Sequence, residues 1–222
     1  MNRPVRVLLG DDHRIVREGL KMVLADDPDL QVVAEADTGP AVLDAVQTLQ
    51  GAQGLDVVLL DIAMPGMDGL DVLQILRRDW PALPVLMLST YPEKQYAVRC
   101  IQLGASGYLN KSTDPDELMA ALRRVAAGGM HVTPATAEAL ASLVSQGRTK
   151  SGIELLSHRE HQVYLLLTQG HTVSEIGAQL SLAPNTVSTY RARILEKTGT
   201  KNDVELALYA QSLGGGQAGS VR

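Results

Sequence analysis

The chain has 222 residues, 45% apolar and 20% charged, with a formal net charge of −5 and one cysteine, Cys100. That length is generous for one domain and comfortable for two, and a lone cysteine excludes an intramolecular disulfide framework and fits a reducing compartment. No apolar run approaches the roughly 18 residues of a membrane span, and residues 1–9 meet an acidic pair too soon for a signal peptide, so a cytoplasmic protein with no membrane partner is expected.

Charge is unevenly placed. Residues 1–130 carry 12 Lys+Arg against 18 Asp+Glu, and residues 131–222 carry 8 against 7. An acidic front half suits a cation site, whereas the near-neutral rear half does not announce nucleic-acid binding by charge alone.

In chain order, residues 5–9 read as a strand and 13–25 as a helix, with Ile15, Val16, Leu20, Val23 and Leu24 at helical spacing. Strand 31–36 and helix 41–49 follow, then strand 55–60 (LDVVLL), a Pro/Gly loop and helix 69–78. Strand 85–88, helix 93–103, strand 107–109 and helix 116–127 complete the front half, with Pro28, Pro65, Pro81, Pro92 and Pro115 in the connections. Five strands alternating with five helices predict an α/β fold with a five-stranded parallel, doubly wound (flavodoxin-like) sheet. Ligands of such sheets sit at the carboxyl ends of the strands, where strand order reverses.

Asp11 and Asp12 follow the first strand, Asp61 the third, Ser89 and Thr90 the fourth and Lys111 the fifth. Singly, each has an ordinary explanation: an aspartate caps or turns, a lysine snorkels, a serine bonds its own backbone. Together, three carboxylates on one edge repel one another and call for a hard, oxygen-liganded cation such as Mg²⁺. With Lys111 adding positive charge, a phosphoryl group could be held there while a carboxylate attacks it.

The motifs VLLGDDH (7–13), VVLLDIAMPGMDGL (57–70), VLMLS (85–89) and GASGYLNK (104–111) resemble receiver domains of two-component signalling, over residues 4–127 and closest to the NarL subgroup. The resemblance implies Asp61 as phosphoacceptor, Asp12 as a direct and Asp11 as a water-mediated Mg²⁺ ligand, and the Ala63 carbonyl as a further ligand. It also implies Lys111 as the phosphoryl anchor, with Ser89 and Tyr108 as the switch pair. Ser112 stands where many receivers have proline. Gly10 reads either as room for close backbone approach or as a small residue at a crowded strand end. Tyr91 occupies a position that in the family influences phosphoryl hydrolysis, and its ring is expected to shield the phosphoryl group from water.

From residue 128 the pattern weakens. Residues 1–128 are expected to form the receiver and 129–153 a helical segment (135–144) with a polar linker, SQGRTKSG (145–152). A four-helix helix-turn-helix domain is expected over 154–215 and a disordered tail over 216–222. Ser157 three residues before Glu160 has capping-box spacing, and its helix stops at Gly170. Thr172 caps a helix over 173–180, Pro184 opens one reaching about Lys197, and a last helix runs from 202 or 203 to 213. Short helix, tight turn and longer helix is a helix-turn-helix layout. On the third helix Val187, Tyr190 and Ile194 share the inner side, leaving Asn185, Ser188, Thr189, Ala192 and Arg193 opposite and Arg191 on the flank. Such a face suits the major groove, though periodicity alone favours a solvated polar surface.

Residues 156–206 resemble the LuxR-type DNA-binding domain, through L-S-x-R-E, E-I-x-x-x-L, the T-V opening of the recognition helix and the I-x-x-K that closes it. The resemblance implies DNA contacts from Thr172, Asn185, Thr186, Ser188, Thr189, Arg191, Arg193 and Lys197, with the last helix as a dimer contact through Val204, Leu206, Leu208, Tyr209 and Leu213. Packing within the domain is the plainer reading of that apolar set. Ala183 stands where the family has Ser or Thr, losing a cap worth about 1 kcal/mol. Ser188 stands where many members have lysine, which removes a phosphate contact and makes dimerisation matter more.

The expected function is a phosphorylation-controlled, DNA-binding transcriptional regulator. A sensor histidine kinase and double-stranded promoter DNA are its partners, RNA polymerase is a further candidate, and phosphorylation favours a homodimer. Its only chemistry would be its own phosphotransfer and autodephosphorylation. A Mg²⁺-dependent phosphatase needs an acid two residues after the nucleophile, where Ala63 stands. A constitutive DNA-binding regulator with a silent receiver is the other alternative.

Overall fold

The computed structural model describes residues 3–52, 54–91, 93–145, 152–180 and 182–214. The chain divides into two compact units, Met1–Gly147 and Arg148–Arg222. Residues 146–151 of the expected linker and the expected tail, 216–222, lie outside the described residues.

The first unit alternates β1 (Val5–Gly10), α1 (Arg14–Ala25), β2 (Leu30–Ala36), α2 (Gly39–Ala52), β3 (Val57–Asp61), α3 (Gly69–Asp79), β4 (Val85–Ser89), α4 (Glu93–Gln102), β5 (Gly107–Asn110) and α5 (Pro115–Ala126), then α6 (Pro134–Ser145). The strands are parallel in the order β2-β1-β3-β4-β5. Every residue of β3 and β4 is buried, which is why they read as unbroken apolar runs rather than alternating ones. Successive side chains nevertheless serve opposite faces. Val58, Leu60 and Met87 pack with Val42 and Val46 of α2, Leu73 and Leu76 of α3 and Cys100 of α4. Leu59, Leu86 and Leu88 pack with Leu24 of α1 and Leu122 and Val125 of α5.

β3 starts two residues later than the sequence suggests. The Asp56 carboxylate there accepts the Arg6 N–H at 2.8 Å and Arg3 Nη2 at 2.7 Å, fastening the loop to the start of β1. Gly10 turns out to be a close-packing glycine: a Cβ would stand 2.8 Å from Val42 and 2.9 Å from Leu60. After α5 the chain runs back beside β5, where the His131 N–H donates to the Ser106 carbonyl at 2.8 Å. That path delivers α6 to α4, and the two pack together.

The second unit contains α7 (His158–Thr168), α8 (Val173–Leu180), α9 (Pro184–Thr198) and α10 (Asp203–Gly214). They enclose Leu156, Val163, Leu167, Ile176, Val187, Ile194 and Leu206. The Ser157–Glu160 capping box forms, Ser157 N–H donating to Glu160 Oε2 at 2.6 Å and Glu160 N–H to Ser157 Oγ at 3.3 Å. Thr172 and Glu175 repeat it at α8, at 2.7 and 3.3 Å. Ala183 gives α9 no side-chain cap, Pro184 supplies the fixed φ, and Gly199 ends the helix at φ 69°. Gly152, expected in the linker, instead begins a 3₁₀ turn, Gly152–Leu155. It is seated against the end of α9, where a Cβ would lie 2.5 Å from the Lys197 carbonyl oxygen.

Candidate functional site

β1 and β3 are neighbours at the point where strand order reverses, and the acidic residues stand at their carboxyl ends. Asp11 and Asp61 are almost fully buried, 1% and 2% exposed. Lys111 reaches across from the end of β5, its Nζ 2.7 Å from Asp11 Oδ2 and 3.0 Å from Asp61 Oδ2. Asp12 sits nearer solvent, with His13 Nδ1 2.7 Å from its Oδ1. Donor atoms of Asp11, Asp12, His13 and Asp61 all lie within 4.8 Å of one another. His13, the last residue of the VLLGDDH motif and given no role there, is thus a neighbour of the site.

Burial pushes the Asp61 carboxyl above the usual carboxylate range; Lys111 opposes that rise and Asp11 reinforces it. A backbone hydrogen bond from Ala63 also favours the charged form of Asp61. Burial works against the Lys111 ammonium, but Asp11 and Asp61 outweigh it and hold the lysine above its ordinary value. Apart from Lys111, His13 and the Ala63 backbone, no group among the described residues offers a hydrogen bond to Asp11 Oδ2, Asp12 Oδ1 or the Asp61 carboxylate oxygens. Buried carboxylate oxygens crowded together and short of donors are the donor set a hard divalent cation takes. These residues therefore fit Mg²⁺, and receiver domains generally bind it at such an acidic pocket.

Gly69 shapes the floor of the site. A Cβ there would run into the Asp61 carbonyl oxygen, and the Gly69 N–H donates to the Ile62 carbonyl at 2.9 Å. Only glycine lets α3 start against the end of β3. Asp68, just before it, caps α3 by accepting the N–H groups of Leu70 and Asp71 at 2.9 and 3.0 Å.

Ser89, fully buried at the end of β4, accepts the Tyr91 N–H at 3.3 Å. The Tyr91 carbonyl accepts the Tyr108 hydroxyl at 2.6 Å and the Asn110 amide at 3.2 Å. Burial pushes the Tyr108 hydroxyl well up, so it remains a neutral donor. The Tyr91 ring stacks on Tyr96 of α4, with centroids 4.7 Å apart. The structure thus gathers Asp11, Asp12, Asp61 and Lys111 at one site, and joins Ser89 and Tyr108 through the backbone of Tyr91.

In the second unit, α9 buries Val187 and Ile194 and exposes Asn185, Thr186, Ser188, Thr189, Ala192 and Arg193. Asn185, Thr186, Thr189, Tyr190 and Arg193 line a shallow groove. Three expected DNA contacts are engaged within the domain. Arg191 Nε bonds Asp203 at 2.7 Å, Lys197 Nζ bonds the buried Glu160 at 2.6 Å, and Thr172 Oγ1 bonds Glu175 at 2.9 Å. Gly177, absent from the sequence reading, makes the turn after α8. Its carbonyl accepts the Leu182 N–H at 2.8 Å, and a Cβ there would lie 2.7 Å from the Leu182 carbonyl oxygen.

Residues 7–123 match the response regulator receiver domain, and residues 154–210 match the bacterial regulatory proteins of the luxR family. The chain belongs to the response regulators. It is 40% identical over 207 residues to the response regulator GacA of Pseudomonas aeruginosa, covering 93% of this chain and 95% of that one. It is 42% identical over 203 residues to the transcriptional regulatory protein UhpA of Escherichia coli K12, covering 91% and 96%. Among solved structures it resembles the response regulator ChrA of a heme-sensing two-component system, with 32% identity, a TM-score of 0.52 and coverage of 96% and 98%. This response regulator therefore carries a receiver followed by a LuxR-type DNA-binding domain.

Proposed function

We propose that Asp61 accepts a phosphoryl group from a sensor histidine kinase and that the phosphorylated receiver promotes dimerisation and promoter binding by the second unit. The observation that carries this reading is the buried Asp61 held 3.0 Å from Lys111 beside Asp11. An Asp61 carboxylate oxygen forms the new P–O bond as the P–N bond to the kinase histidine breaks. Lys111, already committed to this edge, pairs with the phosphoryl oxygens. Asp12, Asp61 and the Ala63 carbonyl, with Asp11 through water, would hold Mg²⁺, which would supply charge neutralisation at the transferring group. The receiver performs only this transfer and its own slow dephosphorylation, since Ala63 offers no acid for turnover on a separate substrate.

On α1, Ile15 and Met22 stand 88% and 74% exposed, seven residues apart and so on one face. That exposed apolar pair, on the helix that starts two residues after Asp12, supports a docking helix for the kinase. No helix among the described residues is long and apolar enough to cross a membrane, and a buried free Cys100 suits the cytoplasm. In the second unit the exposed polar face of α9 reads base edges in the major groove. Val204 and Leu208, 71% and 60% exposed on α10, provide the dimer contact, while Leu206 is core.

Treatment with acetyl phosphate and Mg²⁺, followed by intact-mass analysis, tests the assignment. One added phosphoryl group is expected on the wild type and none on Asp61→Asn. Equal label on both proteins contradicts it.

A further inference from the structure

Ser89, Tyr91 and Glu93 are pinned by three sets of hydrogen bonds. The first is the Ser89 hydroxyl on the Tyr91 N–H, and the second is the Tyr91 carbonyl under Tyr108 and Asn110. The third lies outside the phosphorylation site. Glu93, the first residue of α4, accepts the hydroxyl of Thr133 and, at 2.7 Å, that of Thr136 on the same oxygen, Oε1. Thr133 in turn accepts the Thr136 N–H at 3.2 Å, which is the capping arrangement for α6. Thr136 is only 5% exposed, so its hydroxyl has little access to water in place of the carboxylate.

One carboxylate therefore ties the first turn of α4 to the first turn of α6. The tie is charge-assisted and shielded, which makes it worth more than an exposed pair. α6 is also the last described helix of the first unit, and the DNA-binding unit starts at Arg148. One residue separates Tyr91 from Glu93 in the sequence, so a displacement of Tyr91 reaches Glu93 through a short tether.

We infer that the Glu93 carboxylate, clasped by Thr133 and Thr136, is the joint through which the switch loop controls α6, and that phosphorylation of Asp61 loosens it. This rests on Asp61 being the phosphoacceptor. The clasp holds α6 against α4 in the unphosphorylated chain. Displacement of the loop towards the phosphoryl group draws Glu93 away and releases the first turn of α6.

Hydrogen exchange on the full chain, with and without acetyl phosphate and Mg²⁺, tests this on peptides covering the 89–93 loop and the start of α6. Phosphorylation is expected to speed exchange in both. Thr136→Val, which keeps the shape and removes the hydroxyl, is expected to speed exchange in α6 about tenfold without phosphorylation and to leave little further response. Glu93→Gln, which keeps an acceptor but removes the charge, is expected to fall between them. Both variants are expected to take up label on Asp61 as fast as the wild type. A labelled wild type whose loop responds while α6 does not overturns the clasp alone. A Thr136→Val chain with the full wild-type response at α6 also overturns it. Absence of label on Asp61 instead removes the phosphoacceptor reading, and the clasp proposal falls with it.

Discussion

Asp68 shows how a single carboxylate can serve local structure at an electrostatic cost. Its side chain caps α3 beside the phosphorylation site, yet burial, reinforced by Asp71, pushes its carboxyl up to about 6 from 3.8. A carboxyl raised in the folded state binds its proton more tightly there than in the unfolded chain. Its contribution to stability is therefore fullest below pH 3.8 and is lost as pH rises through about 6. Asparagine caps a helix about as well as aspartate. Asp68→Asn is therefore expected to gain stability over the wild type between pH 4 and 7, by on the order of 2 kcal/mol, in denaturant titrations at the two pH values. A constant difference across that range would contradict the account. At Tyr91, the ring stacked on Tyr96 is expected to slow water attack on the acyl phosphate. Tyr91→Ala should shorten its lifetime several-fold, measured by phosphate release after removal of acetyl phosphate; an unchanged lifetime would remove the shielding role.

The recognition helix α9 and its surroundings separate two kinds of cation. Lys197 neutralises Glu160, a carboxylate 2% exposed inside the domain, whereas Arg193 makes no ion pair among the described residues and faces outward. Lys197→Met is therefore expected to cost the second unit about 1–2 kcal/mol by leaving a buried acceptor short of its partner, read as a lowered Tm. Arg193→Ala is expected to leave Tm unchanged and to weaken binding about tenfold on a duplex selected by the phosphorylated wild type. The reverse pattern would mean that these roles are misassigned. At this scale the sequence was informative where local rules dominate. The capping pairs Ser157–Glu160 and Thr172–Glu175 form as their spacing implies, and of the expected inner stripe Val187 and Ile194 are buried while Tyr190 is only partly so. It was silent where the decisive neighbour is distant in sequence. Neither the Lys197–Glu160 pair, 37 residues apart, nor the Glu93–Thr136 bond, 43 apart, leaves a periodic trace. Gly69 and Gly177 were equally invisible, because their necessity comes from a backbone oxygen that only the folded chain brings near.

For the whole molecule, alternating apolar runs and turn residues were enough to predict a parallel sheet, and the reversal of strand order then located the acidic edge. Charge was a poorer guide. The second unit has almost no net charge, and its relation to DNA rests on the helix-turn-helix layout, the exposed face of α9 and the match to the luxR family. One causal chain, from Asp61 to DNA, links the two units. The most direct test is the affinity of the full chain for a selected duplex, measured with and without acetyl phosphate and Mg²⁺ on the wild type and on Asp61→Asn. Tighter binding by the phosphorylated wild type alone, with a shift towards dimer in size-exclusion, is the predicted result. Equal affinity in all four samples, with Asp61 shown by mass to be phosphorylated in the treated wild type, would contradict it and leave a constitutive DNA-binding protein with a silent receiver.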